Sequence, residues 1–255
     1  MFFGTSTGNT EDVADVIIQK MNDVKGDNTI EGPFSIDDHK GTLSKSFSQY
    51  DSLIVGTPTW NTGADTERSG VAWDEMYYTE FDKLGDTLKG KKVGVFGLGD
   101  QESYGENYAD ATGELYDVFT DKGAEIIGLT EIDDSYVHEE SKAIKDGKFV
   151  GLLCDNVNQE ELTEERVTKW VNQLVEEGIL DSGGSSDGAV VVDAVVSVVE
   201  AVSVSTPPPQ PKAAFVATPK SSSSATGYTG YTNAKRGNTM WISNVNNKDS
   251  FVSKE

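Results

Sequence analysis

A single cysteine, Cys154, stands among 255 residues, so the chain can neither close a disulfide on itself nor assemble a thiolate metal site. Histidine is almost as scarce. His39 and His138 lie far apart in sequence, and without cysteine partners they read as surface or internally satisfied side chains, which disfavours zinc and iron–sulfur chemistry. Long apolar runs are also missing. The Val/Ala stretch from Ala189 to Val204 spans 16 residues and carries Asp193 and Glu200, whereas a membrane span needs about 20 predominantly apolar residues. No membrane insertion is expected. The chain opens Met1-Phe2-Phe3-Gly4, with no basic leader and no apolar run of signal-peptide length. Positive charge is in short supply too: 21 Lys and Arg face 43 Asp and Glu, a net charge of -22.

That imbalance is unevenly distributed. Residues 181 to 255 hold six acids and six bases, so 37 acids and 15 bases are left for the first 180 residues. A surface this acidic repels nucleic acid and anionic membranes and steers the protein toward basic partners. Composition changes at the same place. From residue 181 the sequence runs through Ser-Gly repeats, Pro207-Pro208-Pro209, four consecutive serines and a Gly-Tyr-Thr repeat, which reads as a low-complexity, disordered tail. The segment around Met240-Trp241-Ile242 is more aromatic than a linker requires. One globular domain is therefore expected over 1 to 180, with the tail over 181 to 255.

Within the domain, short runs rich in Val, Ile and Phe alternate with helical periodicity, the pattern of βαβ units around a parallel sheet. The expected strands are Phe2 to Gly4, Thr29 to Ile36, Ser52 to Thr57, Lys92 to Gly97 and Glu125 to Leu129, the last with a continuation at Phe149 to Leu153. Val13, Val16, Ile17 and Met21 share one helical face. So do Tyr108, Ala111, Leu115 and Phe119, and later Val167, Trp170, Val171, Leu174 and Val175. Thr163 is the expected N-cap of that last helix, with Glu164 and Glu165 in its first turn and Gly178 near its end. Only three residues precede Gly4, so the first strand is expected to lack its upstream half.

Three loops carry the chemistry. Gly4-Thr5-Ser6-Thr7-Gly8-Asn9-Thr10 joins the first strand to the first helix, where backbone amides and the helix dipole favour an anion. A nucleoside-triphosphate loop ends in Gly-Lys-Ser/Thr, but here Gly8 is followed by Asn9. A lysine-free loop of hydroxyls suits a single phosphate held by neutral donors. Gly97-Leu98-Gly99 begins like a dinucleotide fingerprint and fails at Glu102, where the third glycine belongs. The second loop, Thr57-Pro58-Thr59-Trp60-Asn61-Thr62-Gly63, and the third, Gly99-Asp100-Gln101-Glu102-Ser103-Tyr104-Gly105, each place an aromatic ring beside glycine after a strand. In open parallel sheets ligands bind at the carboxyl ends of the strands. A phosphate loop flanked by two aromatic loops describes a site for a flat ring on a phosphorylated chain.

At these loops the sequence resembles the flavodoxins. Thr5-Ser6-Thr7-Gly8-Asn9-Thr10, Pro58-Thr59-Trp60-Asn61 and Gly99-Asp100-Gln101 to Tyr104 are similar to that family's three flavin-binding loops in order and spacing. The stretch from Ser135 to Asp155 resembles the insertion that splits the last strand of long-chain members. The likeness covers residues 1 to about 180 and none of the tail. It implies a doubly wound α/β fold with a five-stranded parallel sheet in the order 2-1-3-4-5, and FMN at the loop edge. The implied contacts are Thr5 to Thr10, Thr57 to Gly63, Gly99, Asp100, Tyr104 and Asn107. Trp60 and Tyr104 would sandwich the ring, and Asp100 would touch its polar edge. The Asn61 carbonyl would turn toward the flavin as it gains a proton, a turn eased by the nearby Gly63.

The resemblance further implies a low-potential one-electron carrier, not an enzyme, working between the semiquinone and hydroquinone. A unit charge about 8 Å away at an effective dielectric of about 20 is worth roughly 2 kcal/mol, on the order of 90 mV. Asp65, Glu67, Asp100, Glu102 and Glu106 are the candidate charges. Implied partners are basic redox proteins such as ferredoxin-NADP reductase and photosystem I, served by a monomer that replaces ferredoxin when iron is scarce. An algal source would place it in the chloroplast stroma, any other in the cytoplasm. The polar segment Ala64 to Trp73 suggests a subgroup resembling algal flavodoxins. The alternative is an FMN-dependent NAD(P)H:quinone reductase on the same fold, for which so acidic a surface is a poor match.

Overall fold

Short Val/Ile/Phe runs become the strands of a parallel sheet because residues that alternate along them find apolar partners on both faces. The computed structural model describes residues 1–26 and 29–181; the expectations for the low-complexity stretch beyond them, including Ala189 to Val204 and Met240-Trp241-Ile242, lie outside the described residues. In chain order the elements are β1 (Phe2–Phe3), α1 (Asn9–Lys25), β2 (Phe34–Ser35), α2 (Leu43–Phe47), β3 (Leu53–Pro58), α3 (Ala72–Thr79) and β4 (Lys92–Leu98). They continue with α4 (Asp110–Asp121), β5 (Glu125–Ile127), β6 (Ile144–Lys145), β7 (Lys148–Phe149), β8 (Leu152–Cys154) and α5 (Glu160–Glu176). No helix among the described residues is long and apolar enough to cross a membrane.

The main sheet runs β2-β1-β3-β4-β5 with every pairing parallel, the expected 2-1-3-4-5 order. Its fifth position is shared. Residues Lys92 to Gly94 of β4 pair with β5, and Phe96 to Leu98 pair with β8, so the last strand is split by the segment between them.

Alternation sorts the core into two layers. Phe3, Ile54 and Phe96 face α1 and α5, where Val13, Ile17, Met21, Val167, Trp170 and Leu174 are buried. Phe2, Leu53, Val55, Val93 and Val95 face the other way, against Trp73 and Met76 of α3 and Leu115 and Phe119 of α4. The inserted segment folds over a third cluster that includes Tyr108, Phe149, Val150 and Leu153. There Tyr136 meets Phe149 edge-on at 4.8 Å, and the Arg166 guanidinium lies 4.1 Å over the Tyr136 ring. α5 ends as a Schellman motif: Ile179 N–H donates to Leu174 O at 2.9 Å and Gly178 N–H to Val175 O at 3.1 Å.

Several expected boundaries shift. The strand expected over Thr29 to Ile36 shrinks to Phe34–Ser35, since Pro33 has no N–H to give a ladder. Phe149 is not part of the returning strand: β7 pairs antiparallel with β6, and the sheet resumes only at Leu152. Thr163 is not an N-cap. α5 begins at Glu160, and Thr163 is buried one turn before Val167, continuing the apolar stripe while its hydroxyl donates to Asn156 Oδ1 at 2.7 Å. Tyr108 precedes α4, not within it, and packs under the insertion with Phe149.

Candidate cofactor-binding site

The three loops leave the carboxyl ends of β1, β3 and β4, which are neighbours in the sheet. Gly4 N–H donates to Gly56 O at 3.0 Å, tying the first loop to the end of β3. Gly8 stands at the N-cap of α1 with φ 98°, and no side chain caps the helix. The first-turn amides of Asn9, Thr10 and Glu11 have no intrahelical acceptor, as at any helix start. Thr5 Oγ1 accepts the Gly8 N–H at 3.0 Å and closes the loop on itself. Ser6 and Thr7 are exposed, whereas Thr10 is buried beneath them. Glu11 and Asp12 follow in the first turn, so an anion here is met by neutral hydroxyls and amides with no lysine among them.

The second loop is fastened at both ends. Thr57 is fully buried and turns its hydroxyl inward to the Pro58 carbonyl. Thr59 Oγ1 accepts the Ala111 N–H at the start of α4. Beyond it the chain folds back: Trp60 N–H and Asn61 N–H both donate to Arg68 O, at 3.0 and 3.1 Å, and the Asn61 side-chain amide donates to Glu67 O at 2.5 Å. The Asn61 carbonyl accepts the Ala64 N–H at 3.1 Å, a bond that any turn of that peptide must break. Trp60 is 50% exposed although it is a tryptophan held rigidly at its backbone.

The third loop is fixed by one buried carboxylate and a backbone carbonyl. Gly99 N–H donates to Cys154 O at 3.2 Å, and Gln101 N–H donates to Asp155 Oδ2 at 3.0 Å. Asp155, completely buried, also accepts the Val157 and Asn158 amides and the Asn158 side chain. Asp100 turns toward its own loop, its Oδ1 accepting from Ser103 N–H and from Asn158 Nδ2, each at 2.8 Å. Gly105 O accepts the Glu139 and Glu140 amides of the insertion. Tyr104 is left 47% exposed. Gly63 of the second loop lies against Asn107 of the third, with the Asn107 Oδ1 3.9 Å from where a Cβ would stand.

Burial alone would raise the Asp100 pKa, but the hydrogen bonds it accepts from Ser103, Asn158 and Glu102 outweigh that and hold it below its ordinary value. Its carboxylate therefore supports the loop above the usual carboxylate range, and the support is lost as pH falls through the lowered pKa. The melting temperature of Asp100→Asn should lie below that of the unsubstituted protein at neutral pH, the gap closing below about pH 4; a gap that is constant with pH counts against this role. Cys154 is no competitor for chemistry, since burial pushes its thiol up to about 12.

Composition of the sequence pointed to the loops but not to their anchors. Arg68, Glu114, Asp155 and Asn158 hold the loops in place, and no motif in the sequence marks any of them. Buried carboxylates that accept backbone amides have no spacing motif; the one available signal was Glu114 lying between Ala111 and Leu115 on the inner stripe of α4.

A parallel sheet in the order 2-1-3-4-5 with an uncapped, lysine-free hydroxyl loop and two half-exposed rings along one edge defines a flavodoxin-like mononucleotide-binding domain. The flavodoxin family model matches residues 1–170. A flavodoxin from Trichodesmium erythraeum is 40% identical over 174 residues, covering 68% of this chain and 94% of that protein. Flavodoxin 1 of Escherichia coli is 38% identical over 184 residues, covering 71% and 94%. Among solved structures, Fusobacterium nucleatum flavodoxin bound to flavin mononucleotide superposes with a TM-score of 0.57 at 30% identity, covering 69% of this chain and 95% of that one. The chain belongs to the flavodoxin family, whose members are electron-transfer proteins and not enzymes.

Proposed function

We propose that this protein is a low-potential one-electron carrier that holds FMN non-covalently at the edge formed by its three loops. The observation that carries the reading is the conjunction of an uncapped α1 N-terminus with Trp60 and Tyr104, both about half exposed on adjoining loops. Ser6, Thr7 and the first-turn amides of α1 would hold the phosphate through neutral donors, and Trp60 and Tyr104 would flank the ring. When bound, the flavin supplies the redox chemistry, while the chain supplies binding and electrostatics. Asp65, Glu67, Glu102 and Glu106 are exposed on the same loops, so their negative charge opposes added electrons and lowers the potential. Stepwise anaerobic dithionite titration tests this: two separable one-electron steps, with a transient blue absorbance between them, are expected, and rapid bleaching by NADPH alone would speak for an enzyme instead.

The finer reading is a carrier that stands in for ferredoxin in photosynthetic electron transfer when iron is scarce, serving ferredoxin-NADP reductase and photosystem I as a monomer in a chloroplast stroma or a cytoplasm. Cyanobacterial relatives and the concentration of negative charge on the first 180 residues support it. Association with a basic reductase should slow by about tenfold or more between roughly 0.01 and 0.3 M salt. Stopped-flow reduction rates measure this, and a salt-independent rate contradicts an electrostatically steered partner.

A further inference from the structure

We infer that Glu114, on α4 and outside the three loops, is a positioning residue that sets the Trp60–Asn61 segment through a buried clamp with Arg68. This inference rests on the FMN reading above. Glu114 is 8% exposed and Arg68 9%, so both charges are held away from water. The carboxylate accepts two successive backbone amides of the second loop, Glu67 N–H on Oε1 at 2.9 Å and Arg68 N–H on Oε2 at 3.0 Å. Arg68 Nη1 lies 3.7 Å from Oε1 and neutralises the carboxylate. The rest of the guanidinium binds the loop itself, Nε donating to Ala64 O at 3.0 Å and Nη2 to Asp65 O.

The clamp reaches the site in one further step. Arg68 O is the shared acceptor for the Trp60 and Asn61 amides, and Glu67 O accepts the Asn61 side chain. Fixing the 67–68 peptides therefore fixes the direction of the Trp60 ring and the resting position of the Asn61 peptide. Glu67 has φ 60°, a left-handed conformation that a non-glycine residue keeps only where its surroundings impose it. The bidentate acceptance by Glu114 imposes it. Without the carboxylate this turn relaxes, and the loop must be reordered each time a ligand binds, which weakens binding in proportion.

Glu114→Gln keeps size and one acceptor oxygen but removes the charge and one of the two amide bonds. It should raise the FMN dissociation constant by about tenfold, shift the midpoint potentials, and speed hydrogen exchange at the Trp60, Asn61 and Arg68 amides of the apoprotein. Leu115→Ala, on the next position of α4 in the core, serves as the stability control: it should lower the melting temperature while leaving FMN affinity, potentials and those exchange rates near the unsubstituted values. Arg68→Lys, which keeps the charge but loses the fork to Ala64 and Asp65, should shift the same three readouts in the same direction, and it decides the matter if Glu114→Gln does not fold. Unchanged affinity, potentials and exchange in Glu114→Gln, or equal changes in Leu115→Ala, overturn the inference. An unsubstituted protein that fails to bind FMN sinks the cofactor reading, whereas the exchange rates still report on the clamp.

Discussion

Trp60→Ala should weaken FMN binding by about 5- to 150-fold, the equivalent of the roughly 1 to 3 kcal/mol that an aromatic ring contributes by stacking on a planar heterocycle. The ring is half exposed, so little of the fold depends on it and the melting temperature of the apoprotein should hardly move. Its backbone is fixed through Arg68 O, and its Cβ is backed by Gly70. With φ 68°, and with the Trp60 Cβ only 2.8 Å from where a Cβ on residue 70 would stand, that position admits glycine alone. The loop thus presents the ring in one orientation before any ligand arrives, which reduces the ordering cost of binding. Trp60→Phe should retain most of the affinity. Calorimetric titration and thermal melting of the two variants check this; an unchanged dissociation constant in Trp60→Ala contradicts the role given to the ring.

Gly151→Ala should be among the most damaging single-methyl changes in the domain. A Cβ there would run into the Val95 carbonyl oxygen and lie 2.8 Å from its carbon. Both belong to the backbone of β4, which is paired on each side and cannot retreat as a side chain could. Only separation of β8 from β4 relieves the overlap, at a cost of about 2 to 4 kcal/mol. In a domain of this size that lowers the melting temperature by about 5 to 15 °C. The consequence extends to the third loop. Cys154 O and the Asp155 carboxylate, at the end of β8, hold Gly99 and Gln101, so FMN affinity should fall together with stability. A variant with unaltered melting would show that the two strands are not packed as described.

Some of this was legible in the sequence and some was not, for identifiable reasons. Strands β3 and β4 were readable because each is a continuous apolar run, and a strand buried on both faces leaves that trace. The split of the last strand was legible as a second apolar run at Phe149 to Leu153 and in the resemblance of Ser135 to Asp155 to a long-chain insertion; what periodicity misplaced was Phe149, which belongs to a hairpin and not to the sheet. The positions of the three loops followed from glycine, hydroxyl and aromatic residues after strands. Their internal architecture did not. Glu114 acts on amides 46 and 47 residues away, and its partners are backbone groups, which carry no residue identity for a reader of sequence to match. Asp100 illustrates the same gap from the other side. Resemblance implies a contact to the flavin edge, while the structure turns its carboxylate toward Ser103 and Asn158.

Calorimetric titration of the folded apoprotein with FMN tests the central claim most directly. One saturable site per chain is expected, with riboflavin binding far more weakly because it has no phosphate for the α1 N-terminus. A folded sample that returns no saturable heat with FMN contradicts the account.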